Sequence, residues 1–298
     1  LHPQKIYNML KFLKNWTLPL AMFAGAIGYF LLANVTILEP AKPFVNWLIA
    51  VLTPFLIFAQ LLLTFCKIEP KELLPKAWHV WLLSIQAVSS GIIALLLIFC
   101  PMEEAYRDIF EGAMVCLICP TATAAAVITG KLGGSASTLT TYTLLSNVLA
   151  AIAVPLVFPL VEPHADITFV VAFLKILSKV FPLLLAPFFI ALLFRYYIPS
   201  VHRLLSKYHG VAFYLWAVAL TIVTGQTVRS LVTAAADVSI EIMIALAGLA
   251  TCCLQFYFGK RIGSAYHDRI SAGQALGQKN TVLAIWMAVT YLNPLSSV

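Results

Sequence analysis

Two short polar stretches interrupt an otherwise apolar sequence, and they hold the residues best suited to chemistry. The first runs Cys119-Pro120-Thr121-Ala122-Thr123-Ala124-Ala125-Ala126, the second Gly273-Gln274-Ala275-Leu276-Gly277-Gln278-Lys279-Asn280-Thr281. Pro120 removes a backbone donor and clashes with the preceding turn, so a helix entering it must break or kink. The small residues after it let another backbone approach closely. Gly277 marks a second break, followed by the polar side chains of Gln278, Lys279 and Asn280. Backbone groups freed at such breaks cannot face lipid; they line a polar cavity or lie buried in protein. The chemistry on offer is non-covalent: amides, hydroxyls, carboxamides and one ammonium, suited to holding an ion or an organic anion. No nucleophile elbow, phosphate-binding loop or dinucleotide fingerprint occurs, and the histidines lack metal-ligand spacing. Neither an enzyme nor a cofactor nor a resident metal is expected.

The surrounding sequence says what must position these groups. Of 298 residues, 61% are hydrophobic and only 10% charged, with a mean hydropathy of +0.94. Soluble domains run nearer half apolar and a quarter charged. This excludes a soluble enzyme, a nucleic-acid binder and a multidomain signalling chain, and points to an all-α polytopic protein of the lipid bilayer. A helical span takes roughly 20 residues. Apolar runs between charged or proline-rich breaks give spans at 16–35, 44–65, 77–99, 105–130, 136–160, 169–194, 211–232, 240–258 and 270–292. The connections are short, so 1–298 reads as a single transmembrane domain.

The net charge of +7, from 19 Lys/Arg against 12 Asp/Glu, follows these spans. Lys5, Lys11, Lys14, Lys67, Lys71, Lys76, Lys131, Arg195, Arg203, Lys207, Lys260, Arg261 and Arg269 fall on one side; Lys42, Arg107 and Arg229 fall on the other. Excess Lys and Arg marks cytoplasmic loops, so the N-terminus is expected in the cytoplasm, in a plasma or bacterial inner membrane. Lys175 and Lys179 read as side chains snorkelling from the outer end of span 6. The charge calls for no nucleic acid, and no obligate protein partner is evident. The six cysteines lie in or beside apolar stretches, as free thiols would.

Many carriers consist of two inverted repeats whose broken helices occupy corresponding places. With five spans to a repeat, residues 1–161 form the first and 162–298 an incomplete second. The two interruptions then fall in the fourth span of each half. The same expectation adds a tenth span beyond Val298 and a cytoplasmic C-terminus, and it puts the binding site at the crossing of spans 4 and 9.

At this point the residues resemble a known family. The segment CPTATAAAVITGKLGGSASTLTTYTLLSN at 119–147 is similar to the fourth helix and following loop of the bile acid:sodium symporter family, whose pattern is close to Cys-Pro-Gly-Gly-Thr-Ala-Ser-Asn. Leu276-Gly277-Gln278-Lys279-Asn280-Thr281 resembles that family's ninth-helix pattern, roughly Glu-Val-Gly-Met-Gln-Asn-Ser, with Asn280 on the Asn. Gln86 in span 3 stands where the family has a glutamine. The resemblance implies ten helices, a panel domain of spans 1, 2, 6 and 7, and a core domain of spans 3–5 and 8–10. It also implies substrate passage at the span 4/span 9 crossing, where Thr121, Thr123, Gln278, Asn280 and Thr281 are the candidate contacts for a carboxylate or sulfate.

The departures from that pattern carry as much information. The family's sodium-binding Glu and Gln of helix nine align here with Ala275 and Lys279, and its Ser and Asn ligands of helix four align with Ala125 and Ala126. Gln86 and Thr143 retain oxygen ligands. Hard cations want several oxygens, and an ammonium in the site repels them. Sodium coupling in the family's manner is therefore disfavoured, and a proton is the other candidate. Lys279 lies about nine residues past Ile270, roughly 14 Å along a helix, which is near mid-membrane and too deep to snorkel. Its charge must rest on carbonyls at the broken helices or on a substrate anion, or be given up; Glu111 is the nearest candidate carboxylate.

The sequence thus implies a secondary carrier that moves a small organic anion by alternating access. Two alternatives stay open. One is a proton-coupled or uncoupled exporter, including a metalloid exporter using Cys116 or Cys119. The other is a non-transporting receptor on a carrier scaffold. Gln226 in span 7 either lines the panel side or bonds to a neighbouring helix.

Overall fold

The computed structural model describes residues 16–67, 69–163, 167–208, 211–233 and 238–297. Lys5, Lys11 and Lys14, counted above toward the cytoplasmic side, lie outside the described residues. Among the described residues twelve α-helices follow in order: α1 (Thr17–Asn34), α2 (Lys42–Phe65), α3 (Ala77–Phe99), α4 (Glu104–Ile118), α5 (Ala125–Lys131), α6 (Ala136–Val161), α7 (Phe169–Tyr197), α8 (Pro199–Lys207), α9 (Val211–Thr233), α10 (Val238–Ala265), α11 (Arg269–Gly277) and α12 (Thr281–Tyr291). Short 3-10 turns occupy Thr36–Ala41, Pro70–Glu72 and Pro294–Ser297. Among the described residues there is no strand.

Seven of these helices are long and apolar enough to cross a membrane: α1, α2 with its preceding turn, α3, α6, α7, α9 and α10. The protein is an integral, multi-pass membrane protein. Large apolar side chains such as Phe23, Phe55, Val88, Ile92, Leu246 and Leu249 point outward rather than into a core. Apolar surface on this scale would not stay monomeric in water; hydrocarbon is its natural solvent. Pro54, Pro155, Pro159, Pro182 and Pro187 lie inside the long helices, as membrane helices allow where neighbours re-satisfy the freed backbone. The remaining expected spans, 105–130 and 270–292, are each occupied by two shorter helices, α4 with α5 and α11 with α12.

Packing divides the helices into two sets. In one, α9 lies between α1 and α2, and α2 packs on α7. A Cβ on Gly25 would stand 2.3 Å from the Thr221 carbonyl oxygen and 3.1 Å from the Gly225 amide nitrogen, so α1 and α9 meet backbone to backbone. The other set contains α3, α4, α6, α10 and α11, and α6 on α7 joins the two. A large core built around Leu61, Met114, Val154, Phe158, Leu184 and Met287 spans α2, α4, α6, α7 and α12. A smaller one gathers Trp78, Leu82, Leu139, Tyr142 and Leu276 with Ala125, Ala272 and Ala275.

Candidate functional site: a crossing of two chain segments

Helix α4 stops at Ile118 and α11 stops at Gly277. Pro120 has no amide hydrogen to donate and its ring crowds the preceding turn, which favours ending the first helix before it. Beyond these ends the two chain segments pass each other antiparallel. Thr121 bridges Lys279; the Ala122 amide donates to the Gln278 carbonyl at 3.0 Å, and the Asn280 amide donates to the Pro120 carbonyl at 2.9 Å. A helix end leaves its last carbonyls without partners inside the helix, and here they are met from two other parts of the chain. Lys279 Nζ donates to the Leu117 carbonyl at 3.3 Å. Gln86 Nε2, reaching from α3, donates to the Ile118 and Cys119 carbonyls at 2.9 and 3.3 Å. The C-terminal end of a helix carries partial negative charge, and the Lys279 ammonium sits against that of α4.

The side chains of the crossing hold the segments in register. Thr121 Oγ1 donates to the Ala275 carbonyl at 2.7 Å, and the Thr121 amide donates to Ser146 Oγ of α6 at 3.2 Å. The Cys119 thiol donates to the Asn280 carbonyl at 3.2 Å. Asn280 Oδ1 accepts from the Leu283 amide at 3.2 Å and so caps α12. Gly277 is required by close approach: a Cβ there would lie 2.4 Å from Cγ of Phe256 on α10. At the start of α11, the Asp268 carboxylate accepts from Lys76 Nζ at 3.0 Å and from Thr138 Oγ1 at 3.4 Å, tying α10–α11 to α3 and α6. Burial works to raise the Asp268 carboxyl, but hydrogen bonds from Ser271 and Lys76 and the Lys76 charge outweigh it, so it sits below the usual carboxylate value.

The candidate residues divide by what their side chains do. Thr121, Asn280, Lys279 and Gln278 come together at the crossing, but the Thr121 hydroxyl and the Asn280 Oδ1 are taken up by bonds within the protein. Gln278 Oε1 is buried and has no hydrogen-bond partner among the described residues. Thr123 is half-buried, and Thr281 is exposed. Ala125 and Ala275 are fully buried in the small apolar core, with Ala126 packed against it. Gln86 is spent: its Oε1 accepts from the Tyr142 hydroxyl at 3.1 Å while its Nε2 serves α4. Thr143 donates to the Leu139 carbonyl of its own helix at 3.0 Å. Glu111 is not the partner of Lys279. It pairs with Arg107 at 3.2 Å, one helical turn away on α4.

Sequence reasoning missed a set of cations that the helices bring towards one another. A cavity of about 700 Å³ lies between α1, α2 and α9, lined among others by Tyr29, Lys42, Asn46, Gln226 and Arg229. A second, of about 400 Å³, is lined by Lys179, Gln226, Trp286 and Thr290 and shares Ile49, Ala50 and Gln226 with the first. Arg229 donates to Asn46 Oδ1 at 3.3 Å, and Lys42 pairs with Glu39 at 3.5 Å. Lys179 therefore lines a cavity rather than only snorkelling. No spacing along the chain signals this, because Lys42, Lys179 and Arg229 come from three different helices.

All six cysteines are free thiols. Among the described residues, no group of three or more His, Cys, Asp or Glu is arranged to hold a metal ion. The sequence matches no established family profile and no curated protein.

Proposed function

We propose that the protein is a secondary carrier that moves a small organic anion across a plasma or bacterial inner membrane by alternating access. The observation that carries this reading is the antiparallel contact of Thr121 with Lys279 between two helix ends, with backbone and side-chain donors gathered around it. Non-helical backbone is tolerated at membrane depth only where it is buried or lines a cavity, and carriers use such breaks to bind what they move. In this reading α4 with α5 and α11 with α12 are the discontinuous fourth spans of two inverted repeats, 1–161 and 162–298. Helices α1, α2, α7 and α9 form the panel, the remaining spans form the core, and the N-terminus faces the cytoplasm. That orientation makes the end bearing Lys42, Arg107 and Arg229 the outer one.

The anionic substrate follows from charge. Arg229, Lys179 and the Gln226 carboxamide line the two adjoining cavities, and Lys279 is the cation at the crossing. The same reading gives sodium no part. Ala125 and Ala275 offer no side-chain oxygen, Gln86 and Thr143 are engaged with other groups, and the Lys279 ammonium occupies the negative end of α4. A tethered cation thus replaces a bound one.

The test is a thermal-shift screen of the purified protein against organic acids, with sodium and pH varied independently. A ligand that binds only the folded state adds about 2.7 kcal/mol of stability at a hundredfold excess over Kd. A carboxylate or sulfonate that stabilises the unmodified protein but not Lys179→Ala or Arg229→Ala supports the reading. Stabilisation by neutral or cationic analogues alone contradicts it.

A further inference from the structure

A separate cluster of charged groups lies where α4 begins, away from the crossing. Arg107 Nε is 3.0 Å from Glu162 Oε1 and 3.2 Å from Glu111 Oε1. That nitrogen carries one hydrogen, and it is directed at Glu162. The other nitrogens of the guanidinium donate elsewhere, Nη1 to the Leu97 carbonyl at 3.2 Å and Nη2 to the Val161 carbonyl. The Glu111 side chain is 0% exposed. Its Oε2 accepts from the Asn293 amide at 3.4 Å, while its Oε1 has no hydrogen-bond donor among the described residues. Two carboxylates therefore share one cation, and the buried one keeps an acceptor oxygen that nothing satisfies.

Among the described residues, the neighbours offer no second cation. On its own helix Glu111 has Glu104 and the buried Asp108. The packed face of α10 presents Ile244 beside Gly112, with Glu241 about one turn earlier. Arg229 of α9, which packs on the 294–297 turn, is turned to Asn46. An ionised carboxylate buried without compensation is strongly unfavourable. One proton removes the difficulty, because it makes Glu111 Oε1 a donor towards Glu162 and leaves one negative charge for one guanidinium.

We propose that Glu111 and Glu162 share a proton at neutral pH, forming a proton-binding site between one buried and one half-buried carboxylate. This proton joins the ends of α4 and α6 to the Asn293 turn that follows α12. Its loss leaves two carboxylates under one guanidinium and drives them apart. In a carrier of the kind proposed above, proton release and opening at this end would be one event. That consequence rests on the carrier reading; the bound proton does not.

The test is infrared spectroscopy of the full chain in lipid, reading the C=O stretch of protonated carboxyl groups. At neutral pH unperturbed Asp and Glu, with pKa values of about 3.9 and 4.3, contribute nothing to it. The expected result is one carboxyl equivalent per chain, lost in Glu111→Gln and equally in Glu162→Gln, since a single carboxylate facing Arg107 ionises. Asp108→Asn should retain it. A missing band in the unmodified protein overturns the proposal without any variant having to fold. So does a band that survives in either glutamine variant or disappears in Asp108→Asn. Because no transport is measured, failure here is distinct from failure of the carrier reading.

Discussion

Gln86→Leu should be among the most damaging single substitutions in the membrane core, although glutamine and leucine differ little in size. Gln86 is 1% exposed and Tyr142 0%, so no water replaces what the carboxamide provides. Three contacts disappear together: those to the Ile118 and Cys119 carbonyls at 2.9 and 3.3 Å and that from the Tyr142 hydroxyl at 3.1 Å. Each buried polar group left unpaired costs about 1–3 kcal/mol, so the substitution should destabilise by about 3 kcal/mol or more. Tyr142→Phe strands only Gln86 Oε1 and should cost about 1–2 kcal/mol. The double variant should cost less than the sum, because the Tyr142 hydroxyl is no longer there to be stranded. Reversible unfolding by SDS in mixed micelles measures all three. A loss under about 1 kcal/mol for Gln86→Leu, or strict additivity in the cycle, would refute the idea that Gln86 satisfies the end of α4.

Other outcomes follow from the same contacts. Gly277→Val drives a side chain into the Phe256 ring, 2.4 Å from its Cγ; it should destabilise by about 1–3 kcal/mol, and Phe256→Ala should restore part of that loss in the same unfolding assay. Asn280→Ala removes the α12 cap and should cost about 1 kcal/mol, whereas Asn280→Asp keeps the acceptor and most of the stability, so a drop in ligand affinity shared by both variants would separate a binding role from capping. The Asp268 carboxyl is depressed in the folded state, so its contribution is fully present above the unfolded value of about 3.9 and is lost as pH falls through the lower folded value. Unfolding measured from pH about 6 downward should therefore show a stability loss below about 3.9 that is smaller in Asp268→Asn.

Much of the architecture was legible because hydrocarbon solvent imposes length and apolarity on every crossing helix. The helix ends at Ile118 and Gly277 have local reasons: Pro120 withholds a helical donor, and the polar Gln278-Lys279-Asn280 is ill suited to a lipid-facing turn. What those groups bond to was not legible. Nothing in the spacing of Gln86, Ile118 and Tyr142 says that one carboxamide ties α3 and α6 to the end of α4, because that depends on three helices meeting. Glu111, only the nearest candidate carboxylate for Lys279 in the sequence, pairs with Arg107 four residues before it, where a helical ion pair is expected. Lys179 illustrates the same limit: near a helix end it reads as a snorkelling side chain, and only the approach of α2, α9 and α12 turns that position into a cavity wall.

In the proposed carrier, Lys279 stands where a bound cation would otherwise sit. Counterflow of the stabilising organic acid in proteoliposomes, run in sodium, potassium and choline salts at matched ionic strength, addresses this directly. Equal rates in all three salts, with loss of counterflow in Lys279→Met, are the predicted result. Counterflow that requires sodium and persists in Lys279→Met would contradict it.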